Sequence, residues 1–280
     1  MKELFDSVSN RCSELVTKKY STSFSMAVNT LSPKIRADIY NIYGFVRFAD
    51  EIVDTFHDYN KEKLMAHFER DYYFAMEEGI SLNPILNSFQ QTVKKYKIPD
   101  HMVQAFLKSM KADLNKTEYN TKEEYDEYIY GSADVVGLMC LKVFVNGDDE
   151  MFDKLKDAAM RLGSAFQKVN FLRDLKDDFE LLSRSYFPNI DLGKLDKVSK
   201  QLIIDEIEAD FDYAYTNGIL KLPVEAKFGV YMAYRYYRRL LKKLKSVPSE
   251  KIMDTRIRIS DPMKINLLAR SYVKYKLNII

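Results

Sequence analysis

The sequence predicts an all-α fold, and three observations carry that prediction. Glycine (9) and proline (7) are scarce among 280 residues, too few for the many tight turns of a sandwich or barrel. Apolar residues recur at three- and four-residue spacing through one segment after another, the period of a helix face. The breaks between segments are short: SLNP at 81–84, NGDD at 146–149 and PNIDLG at 188–193. None is long enough to join independently folding units. Residues 1–280 therefore read as one domain, with ample length for a core.

The first helix named by the pattern opens at Pro33 with Ser32 as its N-cap and runs through Ile39, Tyr43, Val46 and Val53. Helical stretches follow at 61–78, 84–96, 100–114, 122–145, 149–182, 199–217 and 223–245, and from 262 to the C-terminus. No solenoid repeat or low-complexity tract interrupts them.

Composition narrows the function classes. Forty-three Lys and Arg against 41 Asp and Glu leave a net charge of +2, which argues against a dedicated nucleic-acid binder. The basic run YRYYRRLLKKLK at 234–245 reads first as a solvated helix face, and second as a weak attraction to anionic membrane surfaces. Cys12 and Cys140 lack CxxC partners, so neither a disulfide framework nor a zinc site is expected. MKELFDSVSNRC has no signal-peptide core. GLMCLKVFV at 137–145 is too short to span a bilayer and contains Lys142. The expected location is the cytosol, with membranes touched only from outside.

Two acidic helix faces carry the chemistry. On a wheel of about 100° per residue, Asp50 and Asp54 share a face with Ile39, Tyr43, Val46 and Arg47, while Glu51 falls to the side. Alone, such a pair reads best as a helix end meeting water, with Arg47 pairing one acid. The segment 162–180 is harder to dismiss. Gly163, Gln167, Asn170, Asp174 and Asp178 form one polar stripe on a helix otherwise apolar nearly all round: Leu162, Ala165, Phe166, Val169, Leu172, Leu175 and Phe179. Such a helix is normally buried, so its polar stripe must face a wet cavity or a ligand. Gly163 on that stripe is expected to leave room for a ligand chain.

Together, the two Asp-x-x-x-Asp faces would bring four carboxylates into one cavity, where they repel unless cations neutralise them. All-oxygen donors select a hard cation, Mg²⁺ or Mn²⁺, over zinc. Such a site usually takes phosphate oxygens as further ligands, so a phosphate or diphosphate substrate is implied, with Arg47 and Arg173 adding positive charge. A structural ion-pair network is the competing account. Duplication of the motif, and Gln167 and Asn170 beside the second copy, favour the ligand. Abundant aromatics (20 Tyr, 17 Phe) are mostly core, yet aromatic walls suit an apolar chain and stabilise a carbocation without offering a nucleophile.

Four stretches now resemble the squalene/phytoene synthases, which join two isoprenyl diphosphates head to head: STSF at 21–24, YGFVRFADEIVD at 43–54, YIYGSADVVG at 128–137 and LGSAFQKVNFLRDLKDDFELLSRSYFP at 162–188. The likeness covers nearly the whole chain, and its last stretch is the most specific. It implies the all-α isoprenoid synthase bundle with a central cavity. It assigns Asp50, Asp54, Asn170, Asp174 and Asp178 to Mg²⁺ (or Mn²⁺) and diphosphate. It gives Tyr20, Ser21, Thr22, Ser23, Tyr43, Arg47, Gln167 and Arg173 to substrate, Tyr130 and Tyr186 to the reaction centre, and Phe24 to the prenyl pocket wall. Ile129 and Asp134 depart from the family pattern, as does Tyr20, where some relatives carry histidine. Asp134 is open to two readings, a part in metal or proton chemistry or a solvent-facing acid.

The leading expectation is condensation of two geranylgeranyl diphosphates to phytoene, for carotenoid synthesis. Squalene, dehydrosqualene or presqualene diphosphate from farnesyl diphosphate is the alternative, and a non-catalytic helical assembly factor is the alternative of another class. No GxGxxG occurs, so no Rossmann site for NADPH is expected. Chain length is expected to depend on pocket depth past Phe24, Phe45 and Val136, and peripheral membrane contact would serve release of an apolar product.

Overall fold

The structure, a computed structural model, describes residues 1–182, 186–188, 195–252 and 257–277; the side chains of 177–182 and of Glu250 lie outside that description. All regular structure among these residues is helical. The order is α1 (Lys2–Tyr20), α2 (Thr22–Asn29), α3 (Pro33–Asp54), α4 (Lys61–Glu78), α5 (Pro84–Tyr96), α6 (Asp100–Ala112) and α7 (Lys122–Ile129). A π-helical turn (Tyr130–Asp134) then leads into α8 (Val135–Phe144), α9 (Asp149–Leu182) and α10 (Lys197–Asn217). A 3₁₀ turn (Ile219–Lys221), α11 (Val224–Ser246), α12 (Ser249–Ile252) and α13 (Asp261–Lys276) complete it.

Local chemistry sets the helix ends. Ser32 accepts from Lys34 N, with Pro33 in the first turn. Asn60 accepts from Lys63 N at 2.8 Å to start α4, which ends at Gly79 in the left-handed region (φ 73°). Asn83 accepts from both Ile85 N and Leu86 N. Each cap satisfies donors that the first turn leaves orphaned.

Two helices precede the first one read from the pattern, and α1 shows why it escaped. Its buried residues are Ser9, Ser13 and Thr17, while Leu4, Val8 and Leu15 are exposed. The inward face is polar because it docks closely against α3 and α5. Ser13 Oγ lies 2.8 Å from Ser88 Oγ, and Asn87 donates to Ser9 Oγ at 3.1 Å. A Cβ on Gly44 of α3 would lie 2.8 Å from Ser13 Oγ. A search for apolar periodicity therefore reads this helix inside out.

α3 crosses the middle of the molecule, packed by α1, α5 and α8. Phe45 is fully buried, stacked on Phe89 at 4.0 Å and on Phe68 at 5.3 Å. It therefore belongs to the core behind α3, not to a pocket wall as expected. The long α9 packs against α8, α10 and α11, and α11 carries α2 and α13. The cation-rich run on α11 is largely committed rather than freely solvated. Arg235 donates to Tyr231 Oη, Arg238 pairs with Asp212, Lys245 pairs with Glu208, and Lys243 donates to the Arg258 carbonyl.

The stretch expected as one helix at 122–145 is broken by the π-helical turn, a feature often found at functional sites. Glycines let it sit tightly. A Cβ on Gly131 would lie 2.0 Å from Ser109 Oγ and 2.7 Å from the Ala105 carbonyl oxygen. A Cβ on Gly163 would lie 2.7 Å from the Ala133 carbonyl oxygen and 3.3 Å from Asp134 Cα. Gly163 thus admits the backbone of the π turn, not a ligand chain. Gly163→Ala should force α9 away from the turn and cost about 1–3 kcal/mol, read as a lower denaturant midpoint with an unchanged slope.

Candidate active site

The capped α3 presents Tyr43, Val46, Arg47, Asp50 and Asp54 as partly accessible residues among fully buried neighbours. Arg47 is the hub of this face. Its guanidinium pairs with Asp50 and with Glu51, the latter at 2.5 Å, and its carbon centre lies 4.6 Å from the Tyr20 ring centroid. Glu51, expected off to the side, is therefore part of the ion group. Arg47 Nε is buried without an acceptor among the described residues. Burial, and then the adjacent Asp54 carboxylate, push Asp50 up to about 7 against the pull of Arg47. The Asp50 side chain remains 35% accessible, as a carboxyl recessed in an interior wall would be.

On α9, Gln167, Asn170, Arg173 and Asp174 are partly accessible while Ala165, Val169 and Leu172 are buried. Arg173 forms a two-pronged pair with Asp174, Nε donating to Oδ1 at 2.8 Å and Nη2 to Oδ2. The geometry echoes that of α3, an arginine on its nearest aspartate. The Asp178 side chain lies outside the described residues, as does Arg184 of the RSYFP stretch. The reverse face of α9 is not apolar as expected. Lys168, buried, pairs with Asp210 at 2.7 Å and Glu206 at 2.6 Å on α10, and Arg161 joins Asp210 at 2.7 Å.

Tyr237 of α11 joins the two faces. Its hydroxyl donates to Asn170 Oδ1 at 3.2 Å, and its ring stacks on Phe166 at 4.1 Å. It feels the charges of Arg173 and Asp174, and its hydroxyl acts in turn on Tyr43. Tyr43 stacks on Phe24 at 4.7 Å and hydrogen-bonds with Ser21, and burial pushes its hydroxyl up to about 12. Ser21 also caps α2, accepting from Phe24 N at 3.2 Å. Sequence reasoning missed Tyr237 because it lies in the basic run. Its signal is the spacing Val230, Tyr234, Tyr237, Leu241, Leu244, one inward face of a helix.

A second aromatic group stands on the Asp50 side. Tyr186 is buried, stacked on Phe171 at 4.0 Å, 5.3 Å from Tyr128 and 5.7 Å from Tyr119. Tyr119 and Tyr128 both donate to the buried Asp113, at 3.1 and 2.7 Å. The Asp113 charge reaches Asp50 and helps to raise it. Asp113 was also missed, although Met102, Phe106 and Met110 place it at the end of an apolar stripe. Tyr130 is partly buried against the core at the start of the π turn.

Asp134 fits neither sequence reading. It is buried, accepts from Ser164 Oγ at 2.6 Å and faces the Lys168, Asp210 and Arg161 group, not solvent or the aspartate faces. Burial pushes it up to about 7, while Ser164 and Lys168 oppose the shift.

Among the described residues, no group of three or more His, Cys, Asp or Glu side chains is gathered as a metal site. The donor chemistry fits a hard cation all the same. Asp50, Asp54, Asn170 and Asp174 offer oxygen only, and a raised Asp50 marks a place short of positive charge.

Comparison with known proteins follows the geometry. Residues 17–262 match the family model described as squalene/phytoene synthase. The 15-cis-phytoene synthase of Paracoccus sp. is 25% identical, over 89% of this chain and 86% of its own length. The phytoene synthase of Arthrospira platensis is 25% identical, over 82% and 81%. Among solved structures, a dehydrosqualene synthase in complex with ligand superposes with a TM-score of 0.81 at 20% identity, covering 97% of this chain and 98% of its own. A squalene synthase from Alicyclobacillus acidocaldarius gives 0.72 at 20% identity, covering 85% and 93%. These likenesses establish the helical isoprenoid synthase fold.

The Asp134 geometry sets a pH dependence. Its carboxyl is raised in the fold from 3.8 to about 7, so the folded state holds a proton that the unfolded chain has lost. The favourable contribution is complete below about pH 4 and fades as pH rises to 7. Asp134→Asn removes that loss. Its stability relative to the parent should rise between pH 4 and pH 7.5 by up to about 4 kcal/mol, measured by urea unfolding at each pH.

Proposed function

The chain belongs to the squalene/phytoene synthase family of head-to-head prenyltransferases, and we propose that it joins two geranylgeranyl diphosphates to form phytoene. One observation carries the reading: two acidic helix faces, on α3 and α9, each with its own arginine, are drawn together through Tyr43 and Tyr237 among aromatic rings.

Asp50, Asp54, Asn170, Asp174 and Asp178 would hold Mg²⁺, or Mn²⁺ in its place, and the bound ion supplies charge to the departing diphosphate. The chain's own residues do the rest. Arg47 has an uncommitted Nε–H for a phosphate oxygen, Arg173 adds a second guanidinium, and the capped start of α2 at Ser21–Ser23 faces negative charge favourably. In the first stage one C–O bond breaks, diphosphate leaves, and the double bond of the second substrate attacks the allylic cation. Loss of a proton closes a cyclopropylcarbinyl diphosphate. In the second stage its diphosphate leaves, the ring rearranges, and another proton loss gives the triene. Phe24, Tyr43, Phe166 and Tyr237 offer ring faces to the cations and exclude water. Tyr130 and Tyr186 stand where the reaction centre is assigned.

A second reading, farnesyl diphosphate to a C30 product, is favoured by one feature. Phe24 lies stacked on Tyr43 at 4.7 Å, which narrows the inner wall.

Purified protein with Mg²⁺ should convert geranylgeranyl diphosphate to a C40 hydrocarbon without NADPH, detected by mass spectrometry. A C30 product from farnesyl diphosphate alone moves the reading to the second branch, and no product from either overturns both. Asp50→Asn and Asp174→Asn should each cut turnover at least a thousandfold, roughly 4 kcal/mol of transition-state stabilisation, with helical circular dichroism unchanged. Tyr237→Phe should lower kcat/KM about tenfold, the worth of one hydrogen bond.

A further inference from the structure

Helix α13 presents an unusual outer face. Its inner side rests on α11, with Leu267 and Ser271 buried and Phe228 at 4.9 Å from Tyr275. On the outer side Ile265, Tyr272, Val273 and Leu277 are each between 49% and 63% exposed, and Ala269 is exposed with them. At 3.6 residues per turn these five fall within an arc of about 140°. A helix turned to water normally shows polar residues there. The charges beside the stripe are of one sign. Arg270, Lys274 and Lys276 are exposed, and the helix has no acidic residue beyond Asp261 at its start.

The position of this helix matters as much as its composition. Lys264 donates to Thr22 Oγ1 at 3.1 Å, tying α13 to the start of α2. A small cavity beneath it is lined by Ser23, Met26, Met232, Tyr236, Lys264 and Leu267. Tyr236 meets Tyr237 edge-on at 5.5 Å, and Tyr237 is bonded to Asn170. The underside of α13 is therefore two side chains from the candidate site.

We infer that the outer face of α13 docks on an anionic lipid bilayer. An apolar stripe in a basic border is the composition of a helix lying in the membrane interface, and cations add attraction to acidic headgroups. The basic run on α11 does not serve, because four of its cations already have partners inside the protein. Docked through α13, the enzyme would set the α2–α11 edge of its site against lipid, where isoprenyl chains partition. That last consequence rests on the prenyltransferase reading; the surface does not.

The test is co-sedimentation of the intact protein with vesicles of phosphatidylcholine, with or without one part in three phosphatidylglycerol. The parent should bind the anionic vesicles and release with salt. Ile265→Glu with Val273→Glu should weaken binding at least tenfold. Lys274→Glu with Lys276→Glu should weaken it roughly fivefold per cation. Leu4→Glu with Val8→Glu, on the exposed apolar face of α1, should bind as the parent does. All four altered positions of α13 are exposed, and an unchanged thermal midpoint confirms an intact fold. Failure of the parent to bind, or undiminished binding by the α13 variants, overturns the proposal. So does a parent dimer by light scattering that the α13 variants dissolve, since a second copy would then cover this face. Turnover in detergent, measured alongside, separates the two readings: its absence with vesicle binding intact sinks the prenyltransferase assignment and leaves the docking face standing.

Discussion

An ionised carboxylate inside a bundle of apolar helices must be given a counter-charge or a proton, and the interior is arranged around that requirement. Each buried acid meets it differently. Asp50 and Glu51 share Arg47, and Asp174 takes Arg173. Asp113 collects two tyrosine hydroxyls, and Asp210 takes Lys168 and Arg161. Asp134, with one serine and no cation in contact, is the acid whose neutral form the fold favours.

The same arginines that quiet the aspartates leave them poised. A guanidinium on a carboxylate is a pairing that an incoming diphosphate and its metal can exchange, since both partners gain stronger opposites. Tyr237 and Tyr43 hold the two faces in register without adding charge, as their burial keeps both hydroxyls neutral.

What was legible in the sequence followed from periodicity and chemistry together. α3 and α9 have long inward faces of one pattern, so acids on them stood out. α1 stayed hidden because close packing favours small hydroxyl residues inside, leaving leucines outside. Phe45 and Gly163 were given to the cavity because a helical wheel assigns a face but not what that face meets. Lys168 and Asp210 satisfy each other across two helices, and Tyr237 acts through Asn170, 67 positions away in the chain. Such pairings exist only once the helices are placed.

The π turn has a consequence for how this chain can change. It holds one residue more than an α-helical path between Ile129 and Val135 would need. Deleting a single residue there would relax it to ordinary helix and rotate α8 by about 100°. Val136, Cys140 and Phe144, partly accessible along one side of α8, would then trade places with fully buried neighbours such as Leu141 and Val143. A one-codon loss, with every catalytic aspartate intact, would thus re-line that side of the interior at a stroke. Length in this short segment is therefore as constrained as any side chain in the site.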